Sequence, residues 1–314
     1  MVDLDAFPPN KKMNNGFLAT HHIVIFSIGI AIGIFLTWLG YRIHTHQIKA
    51  PETLIEEMQN LPSGERWRKA FELSEYLRKS WLMLESEQVM DEIIANLKNP
   101  KYSDPRTRAY LILAISQFNK DKAKQAVLEV FSNLKKDEDP QVILSLMDAL
   151  MKFGMPEVAL PVASYLKSEH SYVREKAALL LGKFGNPAII PDLKSVLTDS
   201  VTRVRWNAAT SLAELGDNSG IALILQMLDR DYLLRAYKSN EEEIERIMGQ
   251  ALSALTSLDL GERATMLELL AKQDPSYKVR NKAQEVLKQQ KTKIGLPLPV
   301  PVESVPAPDA ENHL

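Results

Sequence analysis

No cysteine occurs among the 314 residues, which excludes disulfides, cysteine-ligated zinc, iron–sulfur clusters and cysteine nucleophiles together. Histidine is scarce as well, at 6 residues. His21, His22, His44 and His46 lie near the N-terminus, and His170 stands alone in the long central region. One imidazole there cannot build a serine triad or a His-Glu-x-x-His zinc site. Charge of one sign is missing too: Lys+Arg 38 against Asp+Glu 40 gives a net charge of -2, without the basic excess that phosphate-driven nucleic-acid binding needs. Glycine is low at 13 residues, and no Walker or dinucleotide loop interrupts the central region. No nucleic acid, metal or cofactor is expected, and the reading is of a non-enzyme.

What is present begins with a long apolar run. Residues 17–41, FLATHHIVIFSIGIAIGIFLTWLGY, contain no Asp, Glu, Lys or Arg. About 20 such residues suffice to cross roughly 30 Å of hydrocarbon. The run predicts one transmembrane helix, with Trp38 and Tyr41 placed for an interfacial belt. It ends in Thr-Trp-Leu-Gly-Tyr rather than in small residues, which favours an uncleaved anchor over a signal peptide. Gly29, Gly33 and Thr37 form a small-residue stripe suited to close helix packing. The expectation is a single-pass membrane protein in contact with the lipid bilayer through 17–41, with residues 1–16 as an N-terminal tail inside and 42–50 as a linker. Absence of cysteine suits a bacterial inner-membrane protein whose main domain lies outside the cytoplasm, although Lys11 and Lys12 against Arg42 and Lys49 nearly balance the flanking charge.

The remainder repeats itself. Val173-Arg174-x-x-Ala177-Ala178-x-x-Leu181-Gly182-x-x-Gly185 matches Val204-Arg205-x-x-Ala208-Ala209-x-x-Leu212-Ala213-x-x-Gly216 at a shift of 31 residues (173 to 204). The same apolar frame recurs from Thr107 (Leu111, Ile115), Val142 (Leu146, Leu150), Ile247 (Ala251, Leu255), Val279 (Ala283, Leu287) and Glu65 (Ala70, Leu73), giving seven units. Spacing of four and eight keeps these side chains on one helical face. Each frame is the second helix of a pair, preceded by a first helix such as Ala188–Leu197. The breaks between them carry helix-start residues: Asp104-Pro105, Asp139-Pro140, Asp199-Ser200 and Asp274-Pro275. Stacked helix pairs predict an all-α fold, an α-solenoid over residues 51–290 preceded by the one transmembrane helix.

The Val-Arg-x-x-Ala-Ala-x-x-Leu-Gly-x-x-Gly frame, followed by Asn186-Pro187-x-Ile189-Ile190-Pro191, resembles the short HEAT-like repeats of the bilin-lyase kind. Val173 to Gly216 carries the likeness; the other units share only the apolar frame. The resemblance implies a helical fold and a protein-binding scaffold. Relatives resembling deoxyhypusine hydroxylase hold two irons through several His-Glu pairs, which a lone His170 cannot supply. HEAT-like DNA glycosylases need a basic groove that this charge balance does not offer. A chromophore-lyase-like enzyme or cofactor-attachment chaperone is the alternative, since bilin lyases act on cysteines of another protein.

Two sets of side chains stand out. Arg66, Arg108, Arg174, Arg205 and Arg280 follow the opening residue of their units and form a structural arginine row, which the resemblance implies bonds to aspartates and carbonyls of neighbouring turns. Trp67, Arg68, Tyr110, Lys176, Trp206 and Asn207 fall where the frame leaves the core, and are the candidate partner-binding residues. The interval from Val204 to Ile247 holds about a dozen extra residues and the acidic run Glu241-Glu242-Glu243-Ile244-Glu245. After Lys293, Leu-Pro-Leu-Pro-Val-Pro-Val predicts a proline-rich tail, disordered on its own, over 291–314. The function expected is a membrane-anchored scaffold or assembly factor that binds another protein of a membrane-associated complex, without catalysis.

Overall fold

The computed structural model describes residues 30, 32–38, 50–79, 86–134, 138–238, 240–261 and 264–293. Among them the regular structure is helix, with no strand. The helices run α1 (Pro51–Asn60), α2 (Arg66–Lys79), α3 (Glu87–Lys98), α4 (Pro105–Ile115), α5 (Asp121–Ser132), α6 (Pro140–Phe153), α7 (Ala159–Ala163), α8 (Ser171–Phe184), α9 (Ile190–Ser195), α10 (Thr202–Glu214), α11 (Ile221–Met227), α12 (Arg230–Ala236), α13 (Glu241–Leu255), α14 (Ala264–Gln273) and α15 (Tyr277–Lys293). The second helices α2, α4, α6, α8, α10, α13 and α15 pack successively on one another, with the first helices against them. The fold is an all-α, solenoid-like array of helical repeats.

Local chemistry places the helix ends. Asp104 and Asp139, each followed by proline at the first helical position, accept the backbone N–H of Thr107 (3.0 Å) and Gln141 (2.8 Å). Ser86 caps α3 and Asn240 caps α13 in the same way. Gly154 and Gly185 end α6 and α8 at φ 63 and 66, a left-handed turn that side-chain-bearing residues resist. The apolar frame is buried in the middle units, at Thr107, Leu111 and Ile115, then Val142, Leu146 and Leu150, then Val173, Ala177 and Leu181, then Val204, Ala208 and Leu212, whereas in the end units Glu65 is exposed and Leu287 is half-buried. Each large aliphatic so removed from water contributes roughly 1.5–3 kcal/mol. Two apolar clusters result, and they meet at α10. Ala208 and Leu212 belong to the first, which starts at Leu54; Trp206, Ala209 and Ala213 belong to the second, which ends at Val286.

The extra residues between Val204 and Ile247 build α12 and the turn after it. Their aromatic rings, Tyr232 and Tyr237, pack against Trp206 at 6.4 Å each. The acidic run opens α13, where Glu241, Glu242 and Glu243 occupy the first turn and face the positive end of the helix dipole.

The membrane expectation is corrected. Among the described residues no helix is long and apolar enough to cross a membrane. A single-pass membrane protein and its localisation therefore lack support, as does the lipid partner. Thr37 turns its hydroxyl onto the carbonyls of Gly33 and Ile34 in its own helix, at 2.9 Å each. Gly29 and the rest of 17–29, residue 31, residues 39–41, all of the tail 1–16, the linker residues 42–49, and residues 294–314 lie outside the described residues.

Candidate functional site

The arginine row sits at the turns between first and second helices. Arg174 donates from Nε and Nη2 to the Asp199 carboxylate (2.7 and 3.0 Å) and from Nη1 to the Ser168 carbonyl (2.8 Å). The Asp199 carbonyl in turn accepts from Arg205 Nη1 (2.7 Å), so one aspartate joins two successive repeats. Asp274 repeats the device: its carboxylate takes Arg230 Nε and Nη2 (3.0 and 2.7 Å), and its carbonyl takes Arg280 Nη1 (2.6 Å). Arg66 reaches the carbonyls of Leu61 (2.9 Å) and Lys101 (2.6 Å), and Arg108 reaches Glu138 (2.7 Å). These guanidiniums are spent on the scaffold. Their fork geometry suits bidentate carboxylates, and hydrogen bonding from Arg174 holds the Asp199 carboxyl below its ordinary value.

The partner-binding candidates separate into two places. Trp67 and Tyr110 stack (ring centroids 6.5 Å apart), and the exposed Phe71 meets Tyr110 edge-on at 5.2 Å. Arg68 and Arg106 lie over the Trp67 ring at 5.7 and 5.5 Å. Beside them is a hollow of about 470 Å³ that Trp67 and Arg106 line together with the capping residues Asp104 and Asp139. Lys176 stands apart, paired with Asp148.

The second place is a groove of about 730 Å³ along α8, α10 and α13. Its charged residues number three of each sign: Glu175, Glu214 and Glu243 against Lys183, Arg203 and Arg246. All are paired within the walls. Arg203 bridges to Glu243 (2.9 Å) and lies 3.9 Å from Glu175, Arg246 grips Glu243 (2.8 Å), and Lys183 pairs with Glu214. Hydrogen bonding from Arg246 keeps the Glu243 carboxyl below its ordinary value. Between these pairs runs a seam of amides. Asn207 donates to the Glu175 carbonyl (3.1 Å) and accepts from Gln250 Nε2 (3.1 Å), linking the three helices. Apolar wall comes from Leu179, Ile247, Tyr237 and the edge of Trp206.

Trp206 requires a correction. The frame leaves it outside the core, yet it is 3% exposed, because the rings supplied by the extra residues cover it. Its Nε1 donates to Gln226 (3.2 Å), so the indole is a packing residue with one edge on the groove. Gln250, Tyr237 and Arg230 escaped the sequence reading. Gln250 follows Ile247 by three positions, as Asn207 follows Val204, so the repeat frame held a signal for it. Tyr237 and Arg230 lie in the extra residues, where the frame gives no register. Among the described residues no group of three or more His, Cys, Asp or Glu could hold a metal ion.

Residues 159–237 match the family model of HEAT repeats. No curated protein matches the chain. Solved structures that do match include the complex of CpcE and CpcF of phycocyanin lyase from Nostoc sp. PCC7120, at 17% identity over 77% of this chain and 95% of that chain with a TM-score of 0.49. Human deoxyhypusine hydroxylase matches at 13% identity over 81% and 99% of the two chains with a TM-score of 0.32. A designed armadillo repeat protein matches at 16% identity over 77% and 100% with a TM-score of 0.38. The chain is thus a helical-repeat protein that carries HEAT repeats over residues 159–237.

Proposed function

We propose that the array is a non-catalytic scaffold which binds a segment of another protein in the groove along α8, α10 and α13. One observation carries this reading: the groove spans three consecutive second helices while all six of its charged side chains are already paired within its walls. Such a surface presents no imidazole and no unpaired carboxylate to serve as a base at a reacting centre. It does present a preformed, neutral bed of amide, hydroxyl and aromatic groups, as peptide-binding surfaces do. The paired charges equally disfavour a phosphate backbone, whose binding needs uncompensated cations.

Site-specific photo-crosslinking tests the proposal. A photoreactive residue at Ser253, exposed in the groove, is compared with one at Ser132, exposed at the end of α5. A discrete protein adduct from position 253 and none from 132 is the expected result. Equal labelling from both positions, or transfer of a chromophore onto an acceptor protein by the purified chain, would end it.

A further inference from the structure

The described helices end at Lys293, and the next nine residues, Ile-Gly-Leu-Pro-Leu-Pro-Val-Pro-Val from 294 to 302, carry no charge. Alternating prolines at 297, 299 and 301 disfavour helix and favour a polyproline II path, which has no internal hydrogen bonds and advances ~3.1 Å per residue. Segments of this kind are recognised by grooves that offer aromatic rings and scattered polar groups rather than charge.

We infer that residues 296–302 of the chain's own tail occupy the groove along α8, α10 and α13, so that the free protein masks its binding surface. The inference rests on the proposed function, whose site it regulates. Reach supports it first. α15 packs against α13, α13 against α10, and α10 against α8. Neighbouring helix axes lie about 8–10 Å apart, so the groove extends from roughly 10 to 30 Å beyond the α15 axis. Residues 296 and 302 are three and nine positions past Lys293, which places them about 9 and 28 Å along an extended path. Lys293 is 14 positions past Val279 whereas Ser253 is six past Ile247, so the path also runs back about 12 Å along the helices at ~1.5 Å per residue, and the far part of the uncharged stretch is long enough to reach the groove.

Chemistry supports it second. An occupant bearing net charge would have to break one of the wall pairs, such as Arg203 with Glu243, and a neutral segment does not. Tyr237 and Leu179 give the prolines and valines apolar wall, and Gln250, Thr210 and Ser253 border the path with polar groups. The first charge after the segment, Glu303, falls beyond its far end. The hollow beside Trp67 fits less well, because it lies at the starts of α2, α4 and α6, two to four second helices beyond α10 in the opposite direction from α15, and its lining sets Asp104 and Asp139 against Arg106 with little apolar wall besides Trp67 and Pro105.

Competition with a synthetic peptide measures the masking. The probe is a fluorescent peptide of residues 294–304, added to the full chain and to the full chain with Pro297→Ser, Pro299→Ser and Pro301→Ser. A tethered segment acts at millimolar effective concentration, so the peptide should bind the triple variant at least about tenfold more tightly than the unaltered chain. Adding Ser253→Arg, at an exposed position, should abolish peptide binding without altering the helical signal; Tyr237→Ala should do the same. Equal affinity for the unaltered chain and the triple variant overturns the masking, and no binding to the triple variant overturns the fit of segment to groove. Self-association that the proline changes remove would put the tail on a second copy and overturn the intramolecular form. Each of these failures leaves a crosslinked partner at position 253 intact as support for the proposed function.

Discussion

Trp206 shows how a single side chain changes meaning with its surroundings. At 3% exposed, with Tyr232 and Tyr237 against it, the indole belongs to the C-terminal core. Truncation to alanine should lower stability by about 3–5 kcal/mol, the range for a buried large-to-small change, seen as a reduced melting temperature. An unchanged melting temperature would return it to the surface. Position alone could not reveal this burial, because the covering rings come from residues that interrupt the repeat. The arginine row was legible, since it recurs in register; its partner Asp274, 2% exposed at the side chain, bonds Arg230 from outside that register. Asp199 supplies a pH test. Arg174 lowers its folded carboxyl pKa relative to the unfolded chain, so the stabilisation is complete above the unfolded value near 4 and is lost as pH falls through the folded one. Asp199→Asn should reduce stability at neutral pH and flatten the acid limb of the stability curve. An acid limb unaltered by the substitution would show that the pair contributes nothing.

Helix pairs were read from the period of the buried frame and from the Asp-Pro starts, which α4 and α6 adopt. The short first helices were harder to see: α9 spans Ile190–Ser195 and is preceded by a 3-10 turn at Pro187–Ile189, a length at which apolar periodicity completes less than two turns. What sets the spacing between second helices is more local. Gly182 lies where α8 approaches α10, and a Cβ there would stand 2.6 Å from Ser211 Cβ and 2.7 Å from Glu214 Oε2. Ser211 also donates to the Ala178 carbonyl at 2.7 Å, which fixes the approach. Gly182→Val should force the two helices apart and cost roughly 1–3 kcal/mol, as overpacking does, whereas Gly249→Ala, with nothing within 4 Å of the added Cβ, should leave stability unchanged or raise it. Thermal melts of the two variants check this, and equal melting temperatures would show that the contact does not limit packing.

Across the array, each second helix contacts its neighbours in sequence, and α10 alone contributes side chains of one helix face to the first apolar cluster and of another to the second. Stability in such an arrangement is close to a sum of repeat and nearest-neighbour contributions, so damage should stay local. Leu252 is fully buried in the second cluster, and replacing it by alanine should cost about 2–5 kcal/mol. Hydrogen exchange on the full chain reads where that loss appears. The amides of α11 to α15 should exchange faster, those of α10 should change in part, and those of α2 to α6 should keep their protection. Because the groove walls come from both sides of this junction, α8 from the first part, α13 from the second and α10 between them, the same variant should weaken groove binding although Leu252 does not line the groove. Faster exchange spread evenly through α2 to α6 would mean that the two clusters unfold as one unit and that α10 is no boundary.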